Sequence, residues 1–324
     1  MSKVIDLCLD LPPSAEEIVE SLKFQTLGKG QKGPANYRHI FGVGKARALG
    51  LSLAELEQMA EELSPLEFEA KLRERANAVA ISLEQFVQQL DDAEVSWGVI
   101  SAGAGRPDHN ERTAAIVARF PHKFVGVAMV DPHQGMKAVR ELERAVKELG
   151  LGGLYASPYR DGISPNDKKY YPLYAKAVEL NIPVFVYTTM NYRTDFPMDL
   201  SRPLHLDEVA RDFPELTIIA GCGGWPWVFE MVGVARRHQN IYVDTEAHRP
   251  KHLATPGSGW EMLLQFGNTL LQDRVVFASG WGNYFLPSEG VIKQVIAEVR
   301  SLPLKPEVVE KWLYHNAARL FKRA

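Results

Sequence analysis

The sequence predicts an α/β fold of the (β/α)8 or TIM-barrel type, with a helical excursion after the first strand. Three observations lead to this prediction. Short apolar runs typical of buried parallel strands alternate with amphipathic helical stretches over most of the chain. Eight such runs occur, which is the number of strands in this barrel. The length of 324 residues fits a barrel that carries insertions.

The eight predicted strands are short, rich in apolar residues and mostly bounded by Gly, Pro or polar residues. In chain order they are Val4–Leu9, Val95–Ser101, Phe124–Val130, Gly152–Tyr155, Pro183–Tyr187, Thr217–Ala220, Ile241–Asp244 and Val275–Ala278. The first strand ends at Asp10 and is followed by Pro12 and Pro13. Because it alternates too little for a half-exposed strand, we predict that it is buried.

Helical periodicity occupies the stretches between these strands and after the last one. The predicted helices are Leu83–Ala93, Asn110–Phe120, Met136–Leu149, Tyr171–Leu180, Leu206–Phe213, Phe229–Arg237, Trp260–Leu264, Glu289–Ser301 and Pro306–Phe321. Neither a low-complexity linker nor an internal repeat divides the chain. We therefore predict one domain over residues 1–324.

Residues 16–76 form the excursion that separates the first strand from this alternation. Within it, Leu53–Leu63 and Leu66–Ala76 have the period and charge pattern of helices. The Gly- and Lys-rich stretch Gly28–Gly33 lacks the Walker spacing of a phosphate-binding loop, so a surface loop is predicted. Because the excursion leaves the carboxyl end of the first strand, we expect it to help cover the catalytic face.

The composition argues against several classes of protein. The formal net charge is -3, so no polybasic surface predicts nucleic-acid binding. No apolar run approaches the roughly 18 residues of a membrane span, and the charged start is unlike a signal peptide. The only two cysteines, Cys8 and Cys222, argue against a disulfide framework. We predict a cytoplasmic protein that acts on a small-molecule substrate, with no nucleic-acid or membrane partner.

The stretch Thr217–Glu230 is the most informative part of the chain. A short apolar strand is followed by Gly221, Cys222, Gly223 and Gly224, and then by an aromatic-rich segment that reads as a helix start. Pro226 suits the first turn of such a helix. Because barrel enzymes place their chemistry at the carboxyl ends of strands, Cys222 is a candidate site residue.

Several phrases of the sequence carry a family resemblance. They are Ile5–Asp6, Tyr170–Thr188, His205–Trp227, Asn240–Ala247, Asp273–Tyr284 and Tyr314–Phe321. In their order and spacing the chain resembles the amidohydrolase superfamily, in the branch that includes aminocarboxymuconate-semialdehyde decarboxylase and resorcylate decarboxylase. The resemblance implies the barrel fold, and relatives of this branch are commonly dimers, so a homodimer is predicted.

The resemblance also implies a divalent metal held by His and Asp residues, and this chain departs from that pattern. The matching positions carry Cys8, Asp10, Tyr187, Cys222 and Gly280. A zinc site needs three or four converging His, Cys or carboxylate donors, which the inherited set no longer supplies. The mechanism that uses a metal-bound water or a metal-held substrate is therefore not expected here, and no cofactor is predicted.

The two cysteines at former ligand positions leave three alternatives open. Cys8, Asp10 and Cys222 form a rebuilt metal site in the first, because thiolates bind softer metals. In the second, Cys222 is a nucleophile whose pKa is lowered at a helix start. In the third, both cysteines pack as small apolar residues.

Further candidates follow the predicted strands on the same face. The predicted catalytic residues are His248, Glu246, Tyr187, Asp10 and Cys222. The predicted substrate-binding residues are Arg160, Arg106, Trp281 and Tyr284. A His beside a carboxylate suits acid–base catalysis, and an Arg suits a substrate carboxylate. Asp6 and Asp244 are expected to be structural, holding backbone amides.

Two functional hypotheses follow. The first is a metal-independent hydrolase or carbon–carbon lyase that acts by acid–base chemistry on a small anionic, cyclic or aromatic substrate. The second is an inactive pseudoenzyme that serves as a structural or regulatory subunit, including a hetero-oligomer with an active relative. A decayed pocket would fill with bulky apolar residues, whereas the replacements here are small or polar. The sequence therefore favours the enzyme.

Overall fold

Eight parallel strands form the centre of the fold in the described part of the chain, and each overlaps one of the predicted segments. The computed structural model describes residues 3–26, 43–101, 107–192, 194–280 and 291–323. The strands are β1 (Val4–Asp10), β2 (Val95–Ser101), β3 (Phe124–Gly126), β4 (Leu154–Ala156), β5 (Val184–Val186), β6 (Ile218–Ala220), β7 (Ile241–Asp244) and β8 (Val275–Val276). Some are shorter than predicted. For example, β3 ends at Gly126 because beyond it only Ala128 forms an isolated bridge, to Leu154.

Each strand pairs with its neighbour in the sequence, in two sheets ordered β1–β2–β3 and β4–β5–β6–β7–β8. Backbone hydrogen bonds also join the two sheets. The N–H of Tyr155 donates to the carbonyl of Ala128 at 2.8 Å, between β3 and β4. The N–H of Leu7 donates to the carbonyl of Phe277 at 3.0 Å, between β1 and the end of β8. This order of strands matches the predicted (β/α)8 class.

Helices separate the strands. The described helices are α1 (Ala15–Thr26), α2 (Val43–Ala48), α3 (Leu53–Glu62), α4 (Pro65–Val79), α5 (Leu83–Asp92), α6 (His109–Arg119), α7 (Met136–Lys147), α8 (Pro158–Asp161), α9 (Tyr171–Glu179), α10 (His205–Asp212), α11 (Val228–Arg237), α12 (Pro250–Leu253), α13 (Glu261–Gly267), α14 (Val291–Arg300), α15 (Pro306–Glu310) and α16 (Asn316–Phe321). The wide turn Lys311–His315 joins α15 to α16, as the single predicted helix requires. Among all the described residues, we find no helix long and apolar enough to cross a membrane.

The sequence did not predict every helical boundary. Helices α1 and α2 of the excursion were not predicted. The four-residue helices α8 and α12 were not predicted either, because so few residues show no period. Residues 289 and 290 of the predicted helix Glu289–Ser301 lie outside the described residues, and α14 begins at Val291.

Apolar side chains pack on both faces of the strands. Ile219 of β6 lies in the inner cluster with Phe185 of β5 and Trp97 of β2. Ile218 and Ala220, its neighbours on β6, belong to the cluster that includes apolar residues of the surrounding helices. Because both faces of these strands are buried, they read as continuous apolar runs in the sequence.

The excursion has an apolar cluster of its own. Leu22 of α1, Leu56 of α3, and Phe68 and Leu72 of α4 are fully buried in it. Capping boxes at Ser52 and Ser64 start α3 and α4, which confirms the two predicted helices with shifted ends. The predicted loop Gly28–Gly33 lies outside the described residues, and coverage of the catalytic face by the excursion stays a prediction.

Candidate active site

A cavity of about 130 Å³ opens at the carboxyl ends of the strands. Its described polar lining consists of carboxyl, thiol and hydroxyl groups, and its apolar walls include Phe185 and Met129. The polar residues are Cys8, Asp10, Ser101, Tyr155, Tyr187, Asp244 and Glu246. No Lys, Arg or His is among the described residues that line this cavity.

Glu246 is the centre of the polar group. It lies two residues beyond the end of β7, and only 8% of its surface is exposed. The thiol of Cys222 donates to Oε2 of Glu246 across 3.8 Å, and Cys8 lines the same cavity as this carboxyl. The structure thus brings together three residues from β1, β6 and β7 that are far apart in sequence.

Burial decides the protonation of this cluster. Loss of solvent raises the pKa of Glu246 to about 8, and the neighbouring carboxylates of Asp244 and Asp10 add to the effect. The pKa values of the Cys8 and Cys222 thiols are also raised, by burial first and by Glu246 second. At neutral pH the carboxyl is therefore mostly protonated and both sulfurs remain thiols.

Two aspartates fix the backbone around this cluster, which confirms the structural role predicted for them. Oδ1 of Asp6 accepts the N–H of Cys8 at 3.1 Å and that of Ser279 at 3.0 Å. Oδ1 of Asp244 accepts the N–H of Cys222 at 2.8 Å and that of Glu246 at 3.0 Å. Asp6 thus ties β1, which carries Cys8, to the segment after β8, and Asp244 ties the turn that carries Cys222 to the loop after β7.

The turn after β6 differs from the prediction. Gly221–Gly224 form a tight 3-10 turn, and Cys222 has the left-handed backbone angles φ 57 and ψ 25. The Trp225–Pro226 peptide is cis, and α11 begins only at Val228, so Pro226 does not occupy a first helical turn. The expected lowering of the Cys222 pKa by a helix start is therefore wrong. Burial beside Glu246 raises it instead, which disfavours a thiolate nucleophile.

Gly280 leaves room for Glu246. Its φ is +61, and a β-carbon built on it would lie 3.1 Å from Cγ of Glu246. A side chain at position 280 would therefore compete with Glu246 for the same space. In this site the carboxyl group comes from the loop after β7 and not from residue 280.

Asp10 and Tyr187 lie where the sequence predicts them, at the ends of β1 and β5, and both line the cavity. Asp10 is half-buried. The ring of Tyr187 lies 5.6 Å from that of Tyr159, which follows β4. These two predicted residues share one cavity with Glu246.

His248 lies apart from this group. Its ring is held between two indoles, 5.2 Å from that of Trp225 and 4.9 Å from that of Trp260. Burial lowers the pKa of its imidazole to about 4. Ala247 has φ 68, so the chain turns between Glu246 and His248 and does not present them side by side. The predicted pairing of these two residues has no hydrogen bond in this geometry.

The predicted substrate-binding residues are only partly described. Arg160 donates from Nε to Oδ1 of Asp161 at 2.9 Å, and its Nη1 lies 3.4 Å from the sulfur of Met129. Met129 lines both the central cavity and an adjoining groove that Arg160 also lines. The remaining predicted residues lie outside the described part of the chain: Arg106, Trp281 and Tyr284.

Among the residues that line the cavity, sequence reasoning did not single out Ser101, Tyr155, Phe185 or Met129. Ser101 and Tyr155 are the last residues of predicted strands, which is the signal that identifies such positions. Met129 lies inside the predicted strand Phe124–Val130.

The residues present do not fit the metal centre that the fold family implies. Two of its positions carry thiols with raised pKa values, and a third, Gly280, has no side chain. Within the described ranges, we find no group of three or more His, Cys, Asp or Glu side chains arranged to hold a metal ion. The rebuilt site of Cys8, Asp10 and Cys222 thus stays a hypothesis without geometric support.

Comparison with known families decides the assignment of the chain. The family model described as Amidohydrolase matches residues 57–323, which is most of the sequence. The chain belongs to the amidohydrolase family. This match confirms the family resemblance that the sequence phrases carry.

Two characterised relatives of this amidohydrolase have names that describe lyase chemistry. It is 31% identical to a 2-keto-4-carboxy-3-hexenedioate hydratase from a Sphingobium species, over 36% of this chain and 39% of the relative. It is 26% identical to a 2-amino-3-carboxymuconate-6-semialdehyde decarboxylase from Dictyostelium discoideum, over 24% of this chain and 22% of the relative. The chain thus matches well under half the length of each relative.

Solved structures confirm the fold. An uncharacterised TIM-barrel protein from Bordetella bronchiseptica is 25% identical to the amidohydrolase described here. The two structures align over 99% of this chain and 98% of the Bordetella chain, with a TM-score of 0.68. The (β/α)8 class predicted from the sequence is therefore correct.

Proposed function

We propose that this amidohydrolase is a decarboxylase or hydratase that works by acid–base chemistry without the family metal, with Glu246 as the proton donor. One observation carries the proposal. A carboxyl group that burial keeps protonated near neutral pH lines the cavity at the catalytic face of the barrel. A general acid is most effective when its pKa lies near the working pH, and Glu246 meets this condition.

Both reactions need a proton at carbon. In decarboxylation, the electron pair of the carbon–carboxylate bond stays on the substrate carbon, CO₂ leaves and Glu246 supplies the proton. In hydration of a double bond, Glu246 protonates one carbon while water adds to the other. Asp10 lines the same cavity and accepts the proton that the water gives up. A pair of carboxyls in different environments, one buried and one half-exposed, suits these two roles.

The walls of the cavity support a small cyclic or aromatic substrate. Tyr155, Phe185 and Tyr187 provide aromatic surface beside the carboxyl group. The anionic group of the substrate has no positive partner among the described lining residues, so it faces the opening. Arg160, which contacts Met129 of the cavity lining, is the proposed partner of this group. Arg106, Trp281 and Tyr284 remain proposed substrate contacts.

The relatives support the same reaction class, since a hydratase and a decarboxylase both match this chain. The polar cavity also favours an enzyme over the pseudoenzyme hypothesis, because a mouth that had lost its function would be expected to be packed with apolar side chains. The homodimer and the cytoplasmic location stay proposals that rest on the resemblance and the composition.

The test is a substrate screen with a matched pair of variants. The protein is incubated in D₂O with small aromatic and unsaturated carboxylic acids, and mass spectrometry detects loss of CO₂ or addition of water. We expect deuterium at the protonated carbon, and we expect Glu246→Gln to lower the rate by roughly 10²–10⁴-fold, the range for removal of a general acid.

Glu298→Gln serves as the control, because Glu298 is also largely buried but pairs with Arg249, and it is not among the residues lining the cavity. Its rate should stay within a few-fold of the wild type. A Glu246→Gln variant that turns over the same substrate at the wild-type rate would remove Glu246 from the mechanism.

A further inference from the structure

Asp244 holds the two central groups of the site through a single oxygen. Its Oδ1 accepts the N–H of Cys222 at 2.8 Å and the N–H of Glu246 at 3.0 Å. Asp244 itself is only 3% exposed, at the end of β7. Cys222 belongs to the turn after β6, so the shared oxygen joins the loops of two neighbouring strands.

The two hydrogen bonds act on backbone that is set in an uncommon conformation. Cys222 has φ 57, and Ala247, which follows Glu246, has φ 68. Non-glycine residues rarely adopt positive φ unless surrounding contacts hold them there. The bonds to Asp244 fix the backbone from which the Cys222 thiol and the Glu246 carboxyl project. The 3.8 Å contact between these side chains depends on that backbone.

We propose that Asp244 is a positioning residue that holds the Cys222 thiol against the carboxyl of Glu246. The functional meaning of this inference rests on the proposed role of Glu246 as the proton donor. Its structural content does not, because it concerns one hydrogen bond between two side chains. If Asp244 only stabilised the fold, its removal from a folded variant would leave the hydrogen bond between Cys222 and Glu246 unchanged.

The S–H stretching band in the infrared spectrum measures the contact directly, because a hydrogen bond moves this band to lower wavenumber. The chain has only two cysteines, so a Cys8→Ala background leaves Cys222 as the single S–H group. In this background we compare Asp244→Ala, Asp244→Asn and Thr245→Ala.

Thr245→Ala is the matched control. Thr245 is the next residue, is also buried, and its hydroxyl links this loop to the carbonyl and N–H of Ala278. It makes no hydrogen bond to Cys222 or Glu246 among those found. Loss of the Thr245 hydroxyl therefore disturbs the same loop but leaves the hydrogen bonds from Cys222 and Glu246 to Asp244 in place.

Asp244→Ala should shift the S–H band to higher wavenumber, towards that of a free thiol. Asp244→Asn keeps an oxygen that accepts both N–H groups, so its band should stay at the wild-type position, as should that of Thr245→Ala. An unshifted band in folded Asp244→Ala, or a shifted band in either of the other two variants, would overturn the proposal. Near-ultraviolet circular dichroism establishes folding, and if Asp244→Ala does not fold, a shifted band in Asp244→Asn would still overturn the proposal. Full activity of Glu246→Gln would refute the proposed function and leave this result unaffected.

Discussion

The sulfur of Cys222 lies 3.8 Å from Oε2 of Glu246, and both groups are buried. The contact joins the turn after β6 to the loop after β7. It places the neutral thiol of Cys222 beside the carboxyl of Glu246, in a cavity whose described lining contains no Lys, Arg or His. The chemical character of the site follows from this relationship, because neither group is easily ionised at neutral pH.

The buried carboxyl makes stability depend on pH. Below pH 4.5 Glu246 is protonated in both the folded and the unfolded chain. Between about pH 4.5 and 8 the unfolded chain releases this proton and the folded chain keeps it. The free energy of unfolding should therefore fall as pH rises, by about 1.4 kcal/mol per pH unit for one such group.

Urea unfolding at pH 5, 6, 7 and 8 measures this slope. Burial also raises the pKa values of Asp6 and Asp244 to about 7, so the wild-type protein carries contributions from all three. In Glu246→Gln the free energy of unfolding should depend less steeply on pH, because the contribution of Glu246 is removed. Thr245→Ala should keep the wild-type slope. Equal slopes for wild type and Glu246→Gln would show that this carboxyl is ionised in the folded protein.

His248 should stay neutral across the physiological range. Its burial between Trp225 and Trp260 lowers the pKa of the imidazole to about 4. Proton NMR should therefore show no titration of its ring signals between pH 5.5 and 8, and a His248→Gln variant identifies those signals. A midpoint near 6.5, the value of a solvated histidine, would mean that the ring is not enclosed.

Two helical glycines should respond in opposite ways to alanine. A methyl group on Gly267 of α13 would overlap Cζ2 of Trp312, whereas nothing lies within 4 Å of one on Gly233 of α11. Gly267→Ala should lower stability by about 1–3 kcal/mol through overpacking. Gly233→Ala should raise it by roughly 0.5–1 kcal/mol, because alanine favours helix. Thermal unfolding separates the two, and a stabilised Gly267→Ala would contradict the packing described.

Asn316, at the start of α16, is expected to stabilise the packing of this helix against the segment that leads into β8. Its buried amide donates to the carbonyl of Val275 at 2.7 Å and to that of Gln272 at 2.9 Å. Asn316→Ala should cost about 2–3 kcal/mol, because removal of the donor leaves buried acceptors unpaired. Thr269→Ala, which removes an exposed hydrogen bond to Gln265, should change stability by less than about 0.5 kcal/mol. Urea denaturation that finds both variants equally stable would refute this role.

Metal content tests the metal-free proposal. Elemental mass spectrometry of protein purified without chelator should find less than one equivalent of zinc, iron or manganese, and treatment with a chelator should leave activity unchanged. The Cys8→Ala/Cys222→Ala double variant is the comparison. One equivalent of metal in the wild type that is lost in the double variant would revive the rebuilt site at Cys8, Asp10 and Cys222.

The sequence predicted the strands well, because parallel strands buried on both faces leave continuous apolar runs. Val95–Ser101 and Ile241–Asp244 have the same bounds in the structure. Strand ends were less predictable where pairing stops inside an apolar run, as at Phe124–Val130. The segment from Trp225 to Trp227 was read as helix, but Trp225 has the extended angles φ -58 and ψ 137.

The candidate site could be predicted as a set of strand ends but not as a set of contacts. Asp10, Tyr187 and Glu246 line one cavity as expected from their positions. That the Cys222 thiol reaches the carboxyl of Glu246, in a cavity that Cys8 also lines, depends on how three strands lie side by side, which leaves no local pattern. The separation of His248 from Glu246 depends on the backbone of Ala247, and an alanine gives no warning of a positive φ.

The hydrogen bond from Leu7 to Phe277 has a consequence for how the protein is made. The other pairings among the described strands join neighbours in the sequence, so each new strand can dock on its predecessor while the ribosome is still extending the chain. The edge of β1 must wait until β8 has been synthesised. Until then the growing chain has an exposed strand edge, which another chain could pair with.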